Sequence, residues 1–230
     1  MKKREPEKVG NDIYGVKSNW KTDEKTGKTA ESDFRHSSYY HKYFHGYTEL
    51  RIEKPNGGYR VERYYTQPWL VQDVSSVNYI VYRCMYAALV GLACLVYYQA
   101  MTASGYSGNH SVLVAVPEFA SVLGLILLVA ATVNYIFMRR QMTWYDQRSA
   151  SGNLRKASLF AACCMGATAL LVVVNIFLGV DSVLAELRLA GLSLAAALAA
   201  LAVYLLERQM PYREEANNTV LPKGETHEIW

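Results

Sequence analysis

Apolar positions divide the chain into a polar first third and a largely apolar remainder. No charged residue occurs between positions 84 and 109, a run of 26 residues, and further apolar segments follow at 112–138, 157–180 and 189–206. A helix needs about 20 apolar residues to cross ~30 Å of hydrocarbon. Lipid offers the backbone no hydrogen-bond partners, so runs of this length predict helices. We therefore predict an all-α membrane domain, a four-transmembrane-helix bundle with helices at about residues 78–101, 112–138, 157–180 and 183–207.

The remaining segments flank this predicted domain. The first apolar run follows some 77 mostly polar residues, so we expect its helix to be an uncleaved anchor. Residues 1–33 are polar and predict a flexible cytoplasmic arm, because they bury too little apolar surface to offset the cost of ordering. Residues 34–77 predict a small cytoplasmic module with an aromatic strip and a β-hairpin, and residues 208–230 a cytoplasmic tail.

The basic residues predict the orientation. Residues 101–111 and 179–187 contain neither Lys nor Arg, whereas the connection between the second and third helices is basic. Lys and Arg near helix ends are retained on the cytoplasmic side, so we expect a multi-pass plasma-membrane protein with both termini in the cytosol. This connection is either a simple topology determinant or a contact for anionic lipid headgroups. Its basic residues are Arg139, Arg140, Arg148, Arg155 and Lys156.

Two groups of residues, the cysteines and the histidines at 41 and 45, are candidates for redox or metal sites. The four cysteines all fall within predicted helices, and adjacent Cys163 and Cys164 point about 100° apart, so packing is the expected role. His41 and His45 would share one face of a helix, a spacing that can hold a metal, or would line a strand together with tyrosines. No cysteine lies nearby, so residues 37–47 predict an aromatic packing strip. We expect no metal and no cofactor.

A hairpin is predicted before the first helix. Asn56-Gly57 is a strong signal for a two-residue turn, and centring the turn there pairs Glu53 with Arg60, Arg51 with Glu62 and Ile52 with Val61. A lone hairpin is marginal in water and needs support, from residues 219–230 as an added strand, from the basic connection, from a second copy or from another protein. The candidate partner-binding residues are Arg51, Glu53, Arg60, Glu62, Tyr64 and Trp69.

Polar residues within the apolar segments are the candidates for transport chemistry. Glu118 follows Pro117, and the favoured interpretation makes Pro117 the first helical residue, so that Glu118 lies near the membrane surface; the alternative buries Glu118 in a longer helix. Arg188 and Asn175 lie at a similar level, and a Glu118–Arg188 ion pair would be structural or part of a path for a small ligand or ion. The small residues of the fourth helix, within 192–206, and Ala87 and Gly91 of the first helix predict close helix packing.

No phosphate-binding loop, zinc-protease motif, paired-cysteine motif or nucleophile elbow occurs, so we expect no enzyme activity. Nothing specific predicts nucleic-acid binding. The leading hypothesis is a membrane anchor or scaffold whose hairpin and basic connection dock a protein partner or a second copy. The alternative is a small transporter, or an accessory subunit of one, that uses the intramembrane polar residues. Membrane lipids are expected partners in both.

Overall fold

The computed structural model describes residues 21–22, 29–30, 43–53, 59–102, 112–179, 182–222 and 225–228. They form two compact units. The strand unit takes its described residues from Met1–Trp69, Thr143–Tyr145 and Glu214–Trp230, and the helical unit from Leu70–Met142 and Asp146–Arg213. Most of the predicted arm, His41 and the Asn56-Gly57 turn lie outside the described residues. Within the arm, β1 (Lys21–Thr22) pairs antiparallel with β2 (Thr29–Ala30).

Four helices dominate the helical unit, and each is long and apolar enough to cross a membrane by length and composition. They are α1 (Ser76–Thr102), α2 (Val112–Phe137), α3 (Trp144–Leu178) and α4 (Val183–Arg208). The number of long apolar helices predicted from the sequence is confirmed. Ser75 immediately precedes α1, and its Oγ accepts a hydrogen bond from Asn78 N at 3.2 Å, which satisfies an orphan donor of the first turn.

Helix α3 is the main departure from the prediction. It begins at Trp144 and not near residue 157, so most of the basic connection is helical. Within this extension Ala150, Ser151 and Leu154 are buried at helical spacing, while Arg148 and Arg155 are exposed. The extension is amphipathic. An uninterrupted apolar run marks only the part of a helix that can lie in hydrocarbon, so the prediction did not include this amphipathic extension.

All four helices contribute to one core. Tyr86 of α1, Leu128 of α2, Met165 of α3 and Val203 of α4 belong to a single buried cluster. The small residues of α4 face inward, as predicted, with Ala196 and Ala200 fully buried. The same expectation was wrong for α1. Ala87 and Gly91 are exposed, and no atom lies within 4 Å of the position that a Cβ on Gly91 would take.

A short three-stranded sheet, not predicted, lies where the chain enters α1 and leaves α4. Its strand order is β6 (Gln141–Met142), β5 (Trp69–Gln72), β7 (Tyr212–Glu215). Leu70 pairs with Met142 and Val71 with Gln141, and Asp73 N donates to Pro211 O at 3.0 Å. We call this end of the helical unit, where α1 begins and α2 and α4 end, the base.

The strand unit contains the predicted hairpin in a different register. β3 (Tyr47–Glu53) and β4 (Tyr59–Tyr65) are antiparallel, with Glu53 opposite Tyr59, Arg51 opposite Val61 and Glu49 opposite Arg63. The predicted pairs were wrong by one residue. The connection between the strands has an odd number of residues, 54–58, whereas a two-residue turn requires an even number. The observed register instead joins Glu49 and Arg63 in an ion pair of 3.0 Å.

The support that the hairpin needs comes from the C-terminal segment, as one of the predicted alternatives had it. β8 (Glu225–Glu228) pairs antiparallel with β3, with Thr48 opposite Glu228 and Leu50 opposite Thr226, which gives the strand order β4-β3-β8. Asn217 holds the chain that leads to β8, because its Nδ2 donates to the carbonyl oxygens of Tyr65 at 2.6 Å and Gln67 at 3.1 Å.

Candidate functional site

At the base, one buried carboxylate is bound by two tyrosines. Glu207, near the end of α4, is 1% exposed. Tyr86 donates its hydroxyl to Glu207 Oε2 at 2.9 Å, and Tyr212 donates to Oε1 at 2.8 Å. Each carboxylate oxygen therefore receives a hydrogen bond, which offsets part of the cost of removing the group from water. The arrangement ties α1 and β7 to α4.

Gln72 extends this network to the second helix. It is 4% exposed, and its Nε2 donates to the Tyr135 hydroxyl at 2.7 Å and contacts the Tyr212 hydroxyl at 3.5 Å. The rings of Tyr86 and Tyr135 meet edge to face at 5.3 Å between centroids. Neutral donors and aromatic rings thus surround Glu207, an arrangement suited to holding the base together and not to exchanging a ligand.

The network predicts a pH effect at Tyr212. Burial, and next the charge of Glu207, raise the pKa of Tyr212 from 10.0 to about 12. The folded state then binds more protons than the unfolded state between these two values, so this contribution to stability is complete below pH 10 and is lost as the pH rises towards 12.

We expect the thermal unfolding midpoint in mild detergent to fall more steeply above pH 10 in the native protein than in Tyr212→Phe, which lacks the titrating hydroxyl. Tyr98→Phe, at an exposed position, is the matched control and should follow the native protein. Parallel curves for the native protein and Tyr212→Phe would contradict the prediction.

A second polar region lies at the opposite end of the helices, where two carboxyl groups come together. Glu118 of α2 is 4% exposed and Glu186 of α4 is fully buried. They are close enough to interact electrostatically. Glu118 Oε1 is buried and has no hydrogen-bond partner among the residues that the structure describes. Two ionised carboxyl groups at this separation repel each other, and burial strengthens the repulsion.

Hydroxyl groups surround Glu118. Tyr97 OH donates to the Glu118 carbonyl oxygen at 3.2 Å. One turn further along α2, Ser121 Oγ lies 3.1 Å from Thr168 Oγ1 of α3 and donates to the Pro117 carbonyl at 2.8 Å. The region is therefore a polar cluster contributed by all four helices, since Glu186 belongs to α4.

The favoured interpretation of Pro117 was wrong. α2 begins at Val112, so Pro117 lies inside the helix and Glu118 is buried against protein. Asn175 is also buried, at 8% exposure, but Arg188 is exposed. No ion pair joins Glu118 to Arg188 in the described part of the chain. The structure instead places Glu186, two residues before Arg188, on the inward face.

The candidate partner-binding residues lie on three strands. Arg51 and Glu53 belong to β3, and Arg60, Glu62 and Tyr64 to β4. Glu62 accepts a hydrogen bond from the Tyr64 hydroxyl, and both side chains are half-buried. Trp69 opens β5, and its ring packs 4.8 Å from that of Tyr65.

The described part of the aromatic strip packs on other rings. Tyr43 lies 4.7 Å from Tyr145 and His45 stacks on Trp144 at 5.1 Å, both distances between ring centroids. Phe44 packs against Tyr47 at 5.7 Å. Within the described ranges, no group of three or more His, Cys, Asp or Glu could hold a metal, and the metal hypothesis for His41 and His45 is untested because His41 lies outside them.

The basic residues of the predicted connection between the second and third helices are mostly exposed. Arg139 follows α2, and Arg148, Arg155 and Lys156 lie on α3, all with exposed side chains. Arg140 differs, since it is half-buried and contacts the start of α1. The four cysteines are free; Cys84 and Cys163 are exposed, so they do not serve the packing role expected for them.

Glu207, Gln72 and Glu186 were missed as site residues. Helical spacing was the available signal for two of them. Positions 186, 189, 193, 196, 200, 203 and 207 recur every three or four residues, and all are buried on α4. Gln72 joins the network through a strand pairing with residues far along the chain, which no local pattern indicates.

Comparison of the chain with protein-family models, curated proteins and solved structures finds no match.

Proposed function

We propose that this chain is a non-enzymatic multi-pass membrane anchor that presents its strand unit in the cytosol for docking to a second copy. Four helices long and apolar enough to span a membrane support the anchor. The observation that carries the proposal is the pairing of β3 with β8, because these strands come from the segments before the first and after the last of these helices.

This pairing requires both flanking segments to lie in one compartment, which suits an even number of crossings. The distribution of charge supports the cytosol as that compartment. Arg139, Arg140, Arg148, Arg155 and Lys156 follow the second apolar segment, while residues 101–111 and 179–187 lack Lys and Arg. The plasma membrane is the proposed location.

A cysteine pair tests the carrying observation. On a background without the native cysteines, Thr48→Cys with Glu228→Cys should form a disulfide in oxidised membranes, because these residues are directly opposite each other. Thr48→Cys with His227→Cys is the control, since neighbouring strand positions point to opposite faces. Equal crosslinking of the two pairs, or none in either, would remove the argument for a shared compartment.

Charge complementarity selects a second copy as the docked partner. β4 is an outer strand of the described sheet β4-β3-β8. An antiparallel pairing of β4 with β4 of another copy, centred on Val61, places Arg60 opposite Glu62 twice. Such a two-fold arrangement is self-complementary. Within the hairpin these positions are opposite Ile52 and Leu50.

The charge exchange is the experiment for docking. Arg60→Glu should convert a dimer in mild detergent to a monomer, as measured by light scattering after size exclusion, and Arg60→Glu with Glu62→Arg should restore the dimer. A native protein that is monomeric, or a dimer unaffected by Arg60→Glu, would overturn docking through β4. The cysteine test of the anchor topology is independent of this result.

A second candidate function is a small transporter or transporter accessory subunit, favoured by the buried Glu118–Glu186 pair. In this proposal Glu118 lies on the path of the transported ion or small ligand. A carbodiimide that partitions into apolar surroundings should modify Glu118 at least ~10-fold more than Glu207. Glu207 is the internal control because both of its oxygens accept hydrogen bonds.

Absence of modification at Glu118, or modification of Glu207 to the same extent, with mass-spectrometric coverage of both glutamates, would exclude the candidate function as stated.

A further inference from the structure

Two arginines at the base share one tyrosine ring. The guanidinium carbon of Arg83 lies 4.0 Å from the centroid of Tyr79, and that of Arg140 lies 5.9 Å from the same centroid. Arg83 comes from α1 and Arg140 from the chain between α2 and β6. The fold therefore brings two positive charges together from positions far apart along the chain.

Backbone contacts hold both guanidinium groups in place. Arg83 Nη2 donates to the Met138 carbonyl oxygen, which also accepts from the Tyr79 hydroxyl at 3.2 Å. Arg140 Nη2 donates to the Val74 carbonyl oxygen, and its Nη1 donates to Ser76 Oγ at 3.1 Å. These contacts order the side chains before any ligand binds, which lowers the entropic cost of binding.

No ion pair joins Arg83 or Arg140 to an acidic side chain in the described part of the chain. Each guanidinium offers five N–H donors in a planar fork, and the contacts above use only a few of them. The unused donors and the uncompensated charge call for an anion with several acceptor oxygens.

We propose that Arg83 and Arg140 bind the phosphate group of a membrane phospholipid. A lipid is favoured over free phosphate by the large apolar side chains beside the two arginines in the chain. Ile80 and Val81 on α1 are 61% and 54% exposed, and Phe137 at the end of α2 is 83% exposed. They offer an apolar surface for acyl chains where the headgroup would meet the guanidinium groups.

The test uses the purified full-length protein, delipidated in detergent and titrated with phosphatidylglycerol under native mass spectrometry. We expect one tightly bound lipid, and about ten-fold weaker binding in Arg83→Gln with Arg140→Gln, which corresponds to ~1.4 kcal/mol. Arg208→Gln with Arg213→Gln removes the same charge from exposed positions at the end of α4 and in β7, and is the matched control, with no change expected.

Two further arms complete the experiment. Arg140→Lys keeps the charge but loses the fork, so it should weaken binding less than the double variant, and it serves if the double variant does not fold. Inorganic phosphate at millimolar concentration should not displace the lipid. Equal lipid binding in the native protein and in Arg140→Lys and the double variant would overturn the site, and displacement by phosphate would overturn the lipid as its ligand.

Discussion

Replacing Glu207 by alanine is expected to lower the free energy of unfolding of the helical unit by about 3 kcal/mol or more. The substitution removes the acceptor of two hydrogen bonds, from Tyr86 at 2.9 Å and Tyr212 at 2.8 Å. Hydrogen bonds to a charged group contribute ~1.5–3 kcal/mol each, and the fully buried Tyr86 hydroxyl would be left without its partner. Alanine also leaves a cavity at a site that is 1% exposed.

The measurement is an SDS titration in mixed micelles followed by far-ultraviolet circular dichroism. Glu215→Ala, which removes the same side chain at an exposed position, is the control and should change the free energy by less than ~0.5 kcal/mol. Glu207→Gln keeps the shape but presents one N–H group where an oxygen accepted a hydrogen bond, so its loss should be intermediate. A loss in Glu207→Ala no larger than in Glu215→Ala would show that the network does not stabilise the fold.

The apolar helices were predictable because the bilayer imposes a length and a composition on each crossing. The same criterion failed where a helix continues beyond the apolar run. In α3 the first turns carry Arg148 and Arg155 on the outside and Ala150 and Leu154 on the inside, a pattern with a 3.6-residue period but with a low average hydrophobicity. The helical extension is therefore indicated by the periodicity of its buried residues and not by its average hydrophobicity.

The register of the hairpin was harder to predict than its existence. Opposite charges at Arg51 and Glu62 suggested one alignment, but each such pair contributes only ~0.2–1 kcal/mol. The observed alignment places Leu50 with no exposed surface and joins Glu49 to Arg63. Pairing of β8 with the other side of β3 also contributes to the stability of the observed register, and the residues of β8 lie more than 170 positions later in the chain. A long-range pairing can outweigh a short turn signal.

Candidate site residues were predictable to the extent that their helical faces were considered. Glu186 and Arg188 are two residues apart, about 200° around a helix, so the two side chains cannot both face the same neighbour. Position 186 is in phase with buried Leu189 and Ser193, and position 188 is not. The sequence pattern therefore indicates that Glu186, and not Arg188, faces the core. By contrast, the shared Tyr79 ring of Arg83 and Arg140 depends on how α1 meets the chain after α2, which follows only from the fold.

The second large effect is expected at Gly124 of α2, which packs against Ala161 of α3. A Cβ at this position would lie 3.0 Å from Ala161 Cα and 3.4 Å from Ala161 Cβ. Backbone cannot move aside as a flexible side chain can, so larger residues must separate the helices. Gly124→Val should lower the free energy of unfolding by ~2 kcal/mol or more, and should also break the nearby 3.1 Å contact of Ser121 with Thr168.

Gly91→Val is the matched control for this prediction, because it introduces the same side chain into an apolar helix at a position with no atom within 4 Å. Any effect of valine on the helix itself is common to both variants, so their difference isolates the contact with α3. We expect Gly91→Val to change the free energy by less than ~0.5 kcal/mol in the same SDS titration. Gly124→Ala should lie between the two, because a single methyl group asks the Ala161 backbone to move by only a few tenths of an ångström. Equal losses in Gly124→Val and Gly91→Val would mean that the two helices are not held together at this contact, and that small residues here serve no packing purpose.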